Sequence, residues 1–136
     1  MGRVLAIDYG KKRVGLAVTD PLQIAANALE TVATENIFTY LENYVAQEQV
    51  EKFVIGLPKQ MSGALSEAMQ YIQPFADKLK KKFPNQEIIF VDERFTSSLA
   101  QKTIIEAGIK KKARRNKALV DKVAATIILQ TYLTSL

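Results

Sequence analysis

Alternating and near-continuous runs of apolar residues recur along the chain at lengths typical of strands. The first two runs are separated by Tyr9-Gly10-Lys11-Lys12, a glycine-containing turn that predicts a β-hairpin. A third, Ala-rich run follows Asp20-Pro21 and is the weakest of the set. The pattern predicts five strands, at about residues 3–7, 13–19, 22–33, 51–55 and 87–91.

Apolar residues at helical spacing predict four helices between and after these strands. Thr34 is the expected N-cap of the first, which ends at Gln47. The second contains Pro74, which should kink or divide it. This second helix is predicted from about Ser62 to Lys82. The third is predicted from Thr96 or Ser97 to near Gly108, and the fourth from about Asn116 to Leu133.

The last helix is rich in apolar residues, and its pattern predicts which of them face the core. Four adjacent pairs recur at helical intervals along it. The residues predicted to face inward are Leu119 and Val120, Val123 and Ala124, Ile127 and Ile128, and Thr131 and Tyr132.

The order of elements predicts an α/β fold with a mixed five-stranded sheet. Three antiparallel strands come first, and two helix-connected strands then run parallel to the first one, with helices on both faces. We expect residues 1–136 to form a single domain. Ligands of such sheets bind at the carboxyl ends of the strands, so this edge is where a functional site is expected.

Composition excludes several kinds of chemistry. The 136 residues include no Cys, no His and no Trp, which excludes disulfides, thiol or histidine catalysis and a His/Cys zinc site. The sequence shows no signal segment and no apolar run long enough to span a membrane. We therefore expect a cytoplasmic protein without membrane contact.

Positive charge is concentrated in one segment. Residues 110–117 hold six of the nineteen Lys and Arg and no acid, and the net charge of the whole chain is +5, so the remainder carries one net negative charge. Such a segment is either a solvated loop or a nucleic-acid contact. The candidate contacts are Lys111, Lys112, Arg114 and Arg115. A second group, four Lys within residues 78–82, is interpreted as the solvated face of a helix.

Three acids are placed at the ends of predicted elements. Asp8 follows the first strand, Glu93 follows the last, and Asp121 stands near the start of the last helix. Each has an ordinary alternative: a turn hydrogen bond for Asp8, a surface ion pair with Arg94 for Glu93, and a favourable helix dipole for Asp121. Their common position at one sheet edge favours a metal site. Asp92 points to the opposite face of its strand from Glu93, so at most one of the two reaches a given ion.

Converging carboxylates beside basic residues suit hydrolysis of a phosphodiester. One or two Mg²⁺ or Mn²⁺ ions bound by oxygen ligands can activate water and stabilise the leaving oxygen without a histidine. Lys11, Arg13 and Arg94 are candidates to hold the scissile phosphate. Lys59, in a glycine-containing loop after the fourth strand, is another, although that loop is equally consistent with an ordinary strand-to-helix turn.

Four segments together resemble the bacterial YqgF/RuvX family over essentially the whole chain. They are IDYGKKRVGLAVTD (7–20), VIGLPKQMSG (54–63), FVDERFTS (90–97) and LVDKVAATIILQTYL (119–133). The resemblance implies a ribonuclease H-like fold and a nuclease that matures the 5′ end of pre-16S rRNA, in ribosome biogenesis. It also implies that Asp8, Glu93 and Asp121 are catalytic metal ligands. Many ribonuclease H-like enzymes carry the second acid one strand earlier, where this chain has Gly56-Leu57-Pro58.

Other functions stay open on the sequence alone. The alternative that the resemblance implies is a Holliday junction resolvase, which acts as a two-fold dimer on branched DNA, so the protein is either a monomer or a homodimer. A third hypothesis is a ribosome-assembly factor that binds RNA without cleaving it. The turn Asp8-Tyr9-Gly10 also resembles the phosphate-binding hairpin of sugar kinases and actin-like proteins, but those need two domains closing on ATP.

Overall fold

Five strands form one mixed sheet in the structure, a computed structural model that describes residues 2–57, 69–92 and 117–134. Across the sheet the strands run in the order β3-β2-β1-β4-β5. The β1–β2 and β2–β3 pairs are antiparallel, whereas β1–β4 and β4–β5 are parallel. The predicted mixed sheet is therefore confirmed. The strands are β1 (Arg3–Tyr9), β2 (Arg13–Thr19), β3 (Ala26–Ala33), β4 (Val50–Leu57) and β5 (Glu87–Asp92).

Three helices accompany the sheet in the described residues. They are α1 (Ile37–Gln47), which follows a 3₁₀ turn at Thr34–Asn36, α2 (Met69–Lys82) and α3 (Lys117–Thr134). Helix α2 runs through Pro74 from Met69 to Lys82, so this proline does not divide it. The predicted start of α2 near Ser62 and the helix predicted from residue 96 to 108 lie outside the described residues. None of the described helices is both long and apolar enough to cross a membrane.

The strands alternate their side chains between two separate cores. On one face, Leu5 and Ile7 of β1 pack with residues of α1 and α2 such as Leu41 and Ile72. On the other face, the intervening Val4 and Ala6 pack against α3. Because successive strand residues point to opposite faces, the odd-numbered apolar residues of β1 face one helix layer and the even-numbered ones face the other. The helices predicted on both faces are confirmed.

The buried side of α3 differs in part from its prediction. Ile127, Ile128 and Tyr132 are buried as expected. Ala125 and Leu129 are fully buried as well, although they were not predicted to be. Residues 125, 128, 129 and 132 keep the spacing of one helix face. Apolar residues occur on most sides of this helix, so its sequence defines no single stripe, and contact with the sheet decides which side is covered.

The hairpin between β1 and β2 is fastened by Thr34. Its hydroxyl donates to the carbonyl of Gly10 at 2.7 Å, and its backbone N–H donates to the carbonyl of Lys12 at 3.1 Å. The prediction that Thr34 caps the following helix is wrong, because its side chain makes this turn contact and no side-chain cap bond is formed there. At Gly10 a Cβ atom would lie 2.7 Å from the Arg13 carbonyl oxygen, so any larger residue would require the turn to shift.

Candidate active site at the carboxyl edge of the sheet

Asp8 stands in a row of the sheet where its neighbour on each adjacent strand is a glycine. It continues the Val4–Ala6 alternation and therefore lies on the α3 face, partly buried. Gly15 of β2 is paired with it directly. Ile7 pairs with Ile55, so the next residue of β4, Gly56, flanks Asp8 on the other side. With glycine on both sides, no neighbouring strand side chain crowds the carboxylate on this face.

The same row reaches the strand that leads to Glu93. Gly56 is paired with Val91, and Val91 packs in the core on the α3 face. Two strand spacings separate Asp8 from Val91, which is about 10 Å between their backbones. Strand β5 ends at Asp92, whose backbone is paired with Leu57. Glu93 is the next residue and lies outside the described residues, so its predicted place beside Asp8 stays a prediction.

Asp121 belongs to the end of α3 that lies away from the edge of the sheet where β1 begins (the amino edge). The hydroxyl of Tyr132 accepts a hydrogen bond from Lys52 Nζ at 3.2 Å, and Lys52 is paired with Val4 near the start of β1. The carboxyl end of α3 thus lies over the amino edge. Asp121 precedes Tyr132 by eleven residues, which is about 16 Å along a helix axis. The side chain of Asp121 is not among those described, so its predicted role as a ligand stays a prediction.

Carboxylate oxygens are the ligands that a hard divalent cation prefers, and the Asp8 row offers one such group with room beside it. Within residues 2–57, 69–92 and 117–134, no cluster of three or more potential ligands forms. Of the three predicted ligands, only the Asp8 side chain belongs to the described part of the chain. Its setting fits a metal ligand, and the other two ligands await a test.

A cleft of about 390 Å³ opens beside Asp8 at the hairpin. Its charged lining combines this one acid with three consecutive cations, Lys11, Lys12 and Arg13. Lys11 and Arg13 were predicted as phosphate contacts, and the structure brings both to the cleft that Asp8 lines. The sequence reasoning missed Lys12, although it stands in the same turn. Cations around a cleft of this size provide an electrostatic setting for a phosphate group.

Tyr71 of α2 also lines this cleft, and no signal in the sequence singled it out. The ammonium of Lys11 lies 5.2 Å from the centre of the Tyr71 ring, within reach of a cation–π contact. Tyr9, whose side chain points to the face opposite Asp8, has its ring centre 5.9 Å from that of Tyr71. Burial is the main cause that raises the pKa of Tyr9, and the neighbouring Tyr71 raises it further.

The other predicted phosphate contacts belong to segments outside the described residues. The structure therefore neither joins them to the Asp8 cleft nor separates them from it. These residues are Lys59, Arg94, Lys111, Lys112, Arg114 and Arg115.

Comparison with known proteins decides the family. The profile described as "RuvX: Holliday junction resolvase" matches residues 2–135. The chain belongs to the RuvX family. Among other RuvX relatives, the "Putative pre-16S rRNA nuclease" of Bacteroides thetaiotaomicron is 58% identical over 135 residues, covering 99% of this chain and 98% of the relative. The protein of the same description from Porphyromonas gingivalis is 60% identical over 133 residues, covering 98% and 96%.

A solved structure confirms the fold that the resemblance implied. T. thermophilus RuvC, in a complex with a Holliday junction substrate, superposes with a TM-score of 0.59 and covers 99% of this RuvX chain and 96% of its own. The sequence identity is 18%, so this likeness bears on the fold. The mixed sheet with helices on both faces is ribonuclease H-like, as expected.

Proposed function

We propose that this protein is a divalent-metal-dependent endonuclease that cuts structured RNA during maturation of the 5′ end of pre-16S rRNA. The observation that carries the proposal is the position of Asp8. Its side chain lies between two glycine positions at the carboxyl edge of the sheet, and the residue lines a cleft together with Lys11, Lys12 and Arg13. The RuvX relatives described as pre-16S rRNA nucleases support the choice of substrate.

Asp8, Glu93 and Asp121 would together hold one or two Mg²⁺ or Mn²⁺ ions. Bound there, the cation supplies a more acidic water molecule and neutralises charge on the phosphate. Two facts support the set. Val91, two residues before Glu93, shares the row and face of Asp8, and the end of α3 that contains Asp121 lies away from the amino edge. An RNA strand at this edge would meet carboxylates that need a cation for neutralisation.

The protein's own cations would hold and orient the RNA. Arg13 can bind a phosphate through two parallel hydrogen bonds, whereas Lys11 and Lys12 contribute point charges. Lys11 is placed by the Tyr71 ring, and the turn that carries all three is tied down by Thr34. This arrangement would hold a phosphate at the cleft that Asp8 lines, with little loss of side-chain freedom on binding.

The test is cleavage of a 5′-extended 16S rRNA fragment with and without Mg²⁺. Asp8→Asn keeps the size of the side chain and removes its charge, so we expect kcat to fall by about 100-fold or more while RNA binding persists. Asp77→Asn is the matched control, because Asp77 is an exposed acid that accepts a hydrogen bond from Gln73 on α2. It should retain full activity. Wild-type cleavage by Asp8→Asn would refute the proposed site, and Glu93→Gln and Asp121→Asn test the other two ligands in the same way.

The second candidate is a Holliday junction resolvase, which the description of the family profile favours. A resolvase must place two active sites symmetrically on a four-way junction, so it must be a dimer in solution. Cleavage of a synthetic junction in preference to the rRNA fragment, together with a dimeric solution mass, would replace the rRNA proposal with this one. Binding of RNA without any metal-dependent cleavage would instead support an assembly factor.

A further inference from the structure

A continuous path of cations and aromatic rings leads away from the cleft along α2. Lys11 lies over Tyr71, whose ring centre is 5.9 Å from that of Tyr9. Tyr9 in turn stacks on Phe75 with ring centres 4.1 Å apart, and Phe75 lies 5.3 Å from Phe38 of α1. Each ring is thus in contact with the next, which fixes the position of the whole row relative to the hairpin.

Two lysines of α2 extend this path to the end of the helix. Lys78 Nζ lies 4.9 Å and Lys82 Nζ 5.6 Å from the centre of the Phe38 ring. Lys82 also pairs with Glu42 of α1 at 2.9 Å. Because Phe38 packs against the core, both ammonium groups are held over a fixed surface. We refer to Lys11, Tyr71, Lys78 and Lys82 as the α2 strip.

Helix stability alone does not account for the charges of the α2 strip. The dipole of a helix favours cations in its last turn, which explains Lys80, Lys81 and Lys82. Lys78 stands before that turn, and like charges four residues apart on a helix, as at Lys78 and Lys82, repel each other. Lys11 is on a different element altogether. A polyanion lying along the strip would be attracted to both lysines and would offset their mutual repulsion.

We propose that the α2 strip is a second nucleic-acid contact, which binds the phosphate backbone of the substrate beyond the bond that is cut. It begins at the cleft lined by Asp8 and continues on the opposite side of the sheet from α3. Tyr71 and Lys82 are eleven residues apart, or about 16 Å along the helix. At about 3.4 Å per nucleotide along one strand of a duplex, the strip spans about five nucleotides.

The choice of nucleic acid as the partner rests on the proposed nuclease function, whereas the position of the strip rests on the contacts above. Its test is therefore a binding measurement in EDTA, where no cleavage occurs. The probe is the 5′-extended 16S rRNA fragment, labelled with a fluorophore, and anisotropy gives its affinity at KCl concentrations from about 50 to 200 mM.

The decisive comparison is between two double variants of α2. Lys78→Gln with Lys82→Gln removes two charges that are held over the Phe38 ring. Lys80→Gln with Lys81→Gln removes two exposed charges of the same helix that do not belong to the strip. Each lost phosphate contact reduces the slope of log K against log [KCl] by about 0.7 to 0.9. We expect a reduction of about 1.4 to 1.8 for the strip variant and an unchanged slope for the control. Equal effects of the two double variants would overturn the proposal.

Glu42 supplies an opposite perturbation of the same strip. Its carboxylate competes with phosphate for Lys82, so Glu42→Gln should tighten RNA binding and steepen the salt dependence. If the Lys82–Glu42 pair served only to join α1 and α2, Glu42→Gln would lower the melting temperature without changing the slope. That outcome would count against the strip.

Two further results separate this inference from the nuclease proposal. Shortening the RNA by about five nucleotides on the side that reaches the strip should weaken wild-type binding and leave the Lys78→Gln, Lys82→Gln variant unaffected. A wild-type protein that binds in this way but never cuts would refute the nuclease proposal and support the strip. A protein that cuts while both double variants bind like wild type would refute the strip alone.

Discussion

Thr19 provides a direct test of how the first strand is held in the sheet. The residue is completely buried, and its hydroxyl oxygen accepts a hydrogen bond of 2.9 Å from the backbone N–H of Val4. This contact lies one residue beyond the Leu5–Val18 pair of the β1–β2 ladder, and the β1–β4 register shifts at the same point of β1, between Arg3 and Val4. The Thr19 side chain thus takes the part of a backbone acceptor at the end of the ladder. Thr19→Val removes that acceptor while keeping the shape of the side chain.

The magnitude follows from what is left behind. Valine fills the same volume, so no cavity forms, and the main cost is a buried N–H without an acceptor, about 1 to 3 kcal/mol. For a chain of 136 residues, 1 kcal/mol corresponds to about 3 to 5 °C in the melting temperature. We therefore expect the melting temperature of Thr19→Val to fall by about 3 to 15 °C.

Calorimetry measures this fall, and hydrogen exchange at the Val4 amide locates it. Thr19→Ser is the control: it keeps the oxygen and loses a methyl group, which costs about 1 kcal/mol, and the Val4 amide should stay protected. In Thr19→Val the same amide should exchange faster than its neighbours. An unchanged melting temperature in Thr19→Val, or equal protection of Val4 in both variants, would refute this account of the strand end.

Two other predictions concern the hairpin and the loop after β2. Gly10→Ala places a Cβ 2.7 Å from the Arg13 carbonyl oxygen, so we expect it to destabilise the protein by about 1 to 3 kcal/mol and to lower RNA cleavage. The control is Lys12→Ala in the same turn, which should leave the melting temperature unchanged. A Gly10→Ala protein as stable as wild type would contradict this prediction and show that the turn can relax. Hydrogen bonds from the backbone N–H groups of Ala25, Ile24 and Leu22 lower the pKa of Asp20. A carboxyl whose pKa is lower in the folded state stabilises the fold above its ordinary pKa, and this contribution is lost as pH falls through the lowered value. Denaturation across that range should show the stability of Asp20→Asn approaching that of wild type at the acid end, and a constant difference would contradict it.

The same Asp20 explains why β3 was only partly predictable. The sequence pattern placed a strand at residues 22–33, but the strand begins at Ala26. The Asp20 carboxylate binds the N–H groups of the intervening residues, and Gln23 takes a positive φ of 58°. Leu22 and Ile24 then extend the apolar alternation, yet both are exposed, at 62% and 72%. A local side-chain-to-backbone network overrode the periodicity, and such networks are not visible in a hydrophobic pattern.

The sequence made Asp8 predictable as a candidate site residue, but not its surroundings. Its position after an apolar strand was enough to nominate it. That Gly15 and Gly56 flank it depends on the register of two different strand pairs, which no single segment encodes. Tyr71 reaches the cleft from a helix on the opposite face, so its part in lining the cleft follows from packing alone. The meeting of Asp8 with Glu93 and Asp121 remains a prediction.

The proposed cleavage site and the proposed second RNA contact lie on opposite faces of the sheet, and two adjacent residues of β1 point one to each face. Asp8 and Tyr9 are neighbours in sequence, so the period of a strand sends them to opposite faces, one toward the α3 side and the other toward α2. A slip of one residue in the β1–β2 register would exchange them, placing the carboxylate among the aromatic rings and the phenol at the proposed metal site. Thr34 binds both sides of the turn that sets this register. A change in that turn should therefore lower the stability of the hairpin and, at the same time, disturb both the proposed cleavage site on one face and the proposed RNA contact on the other.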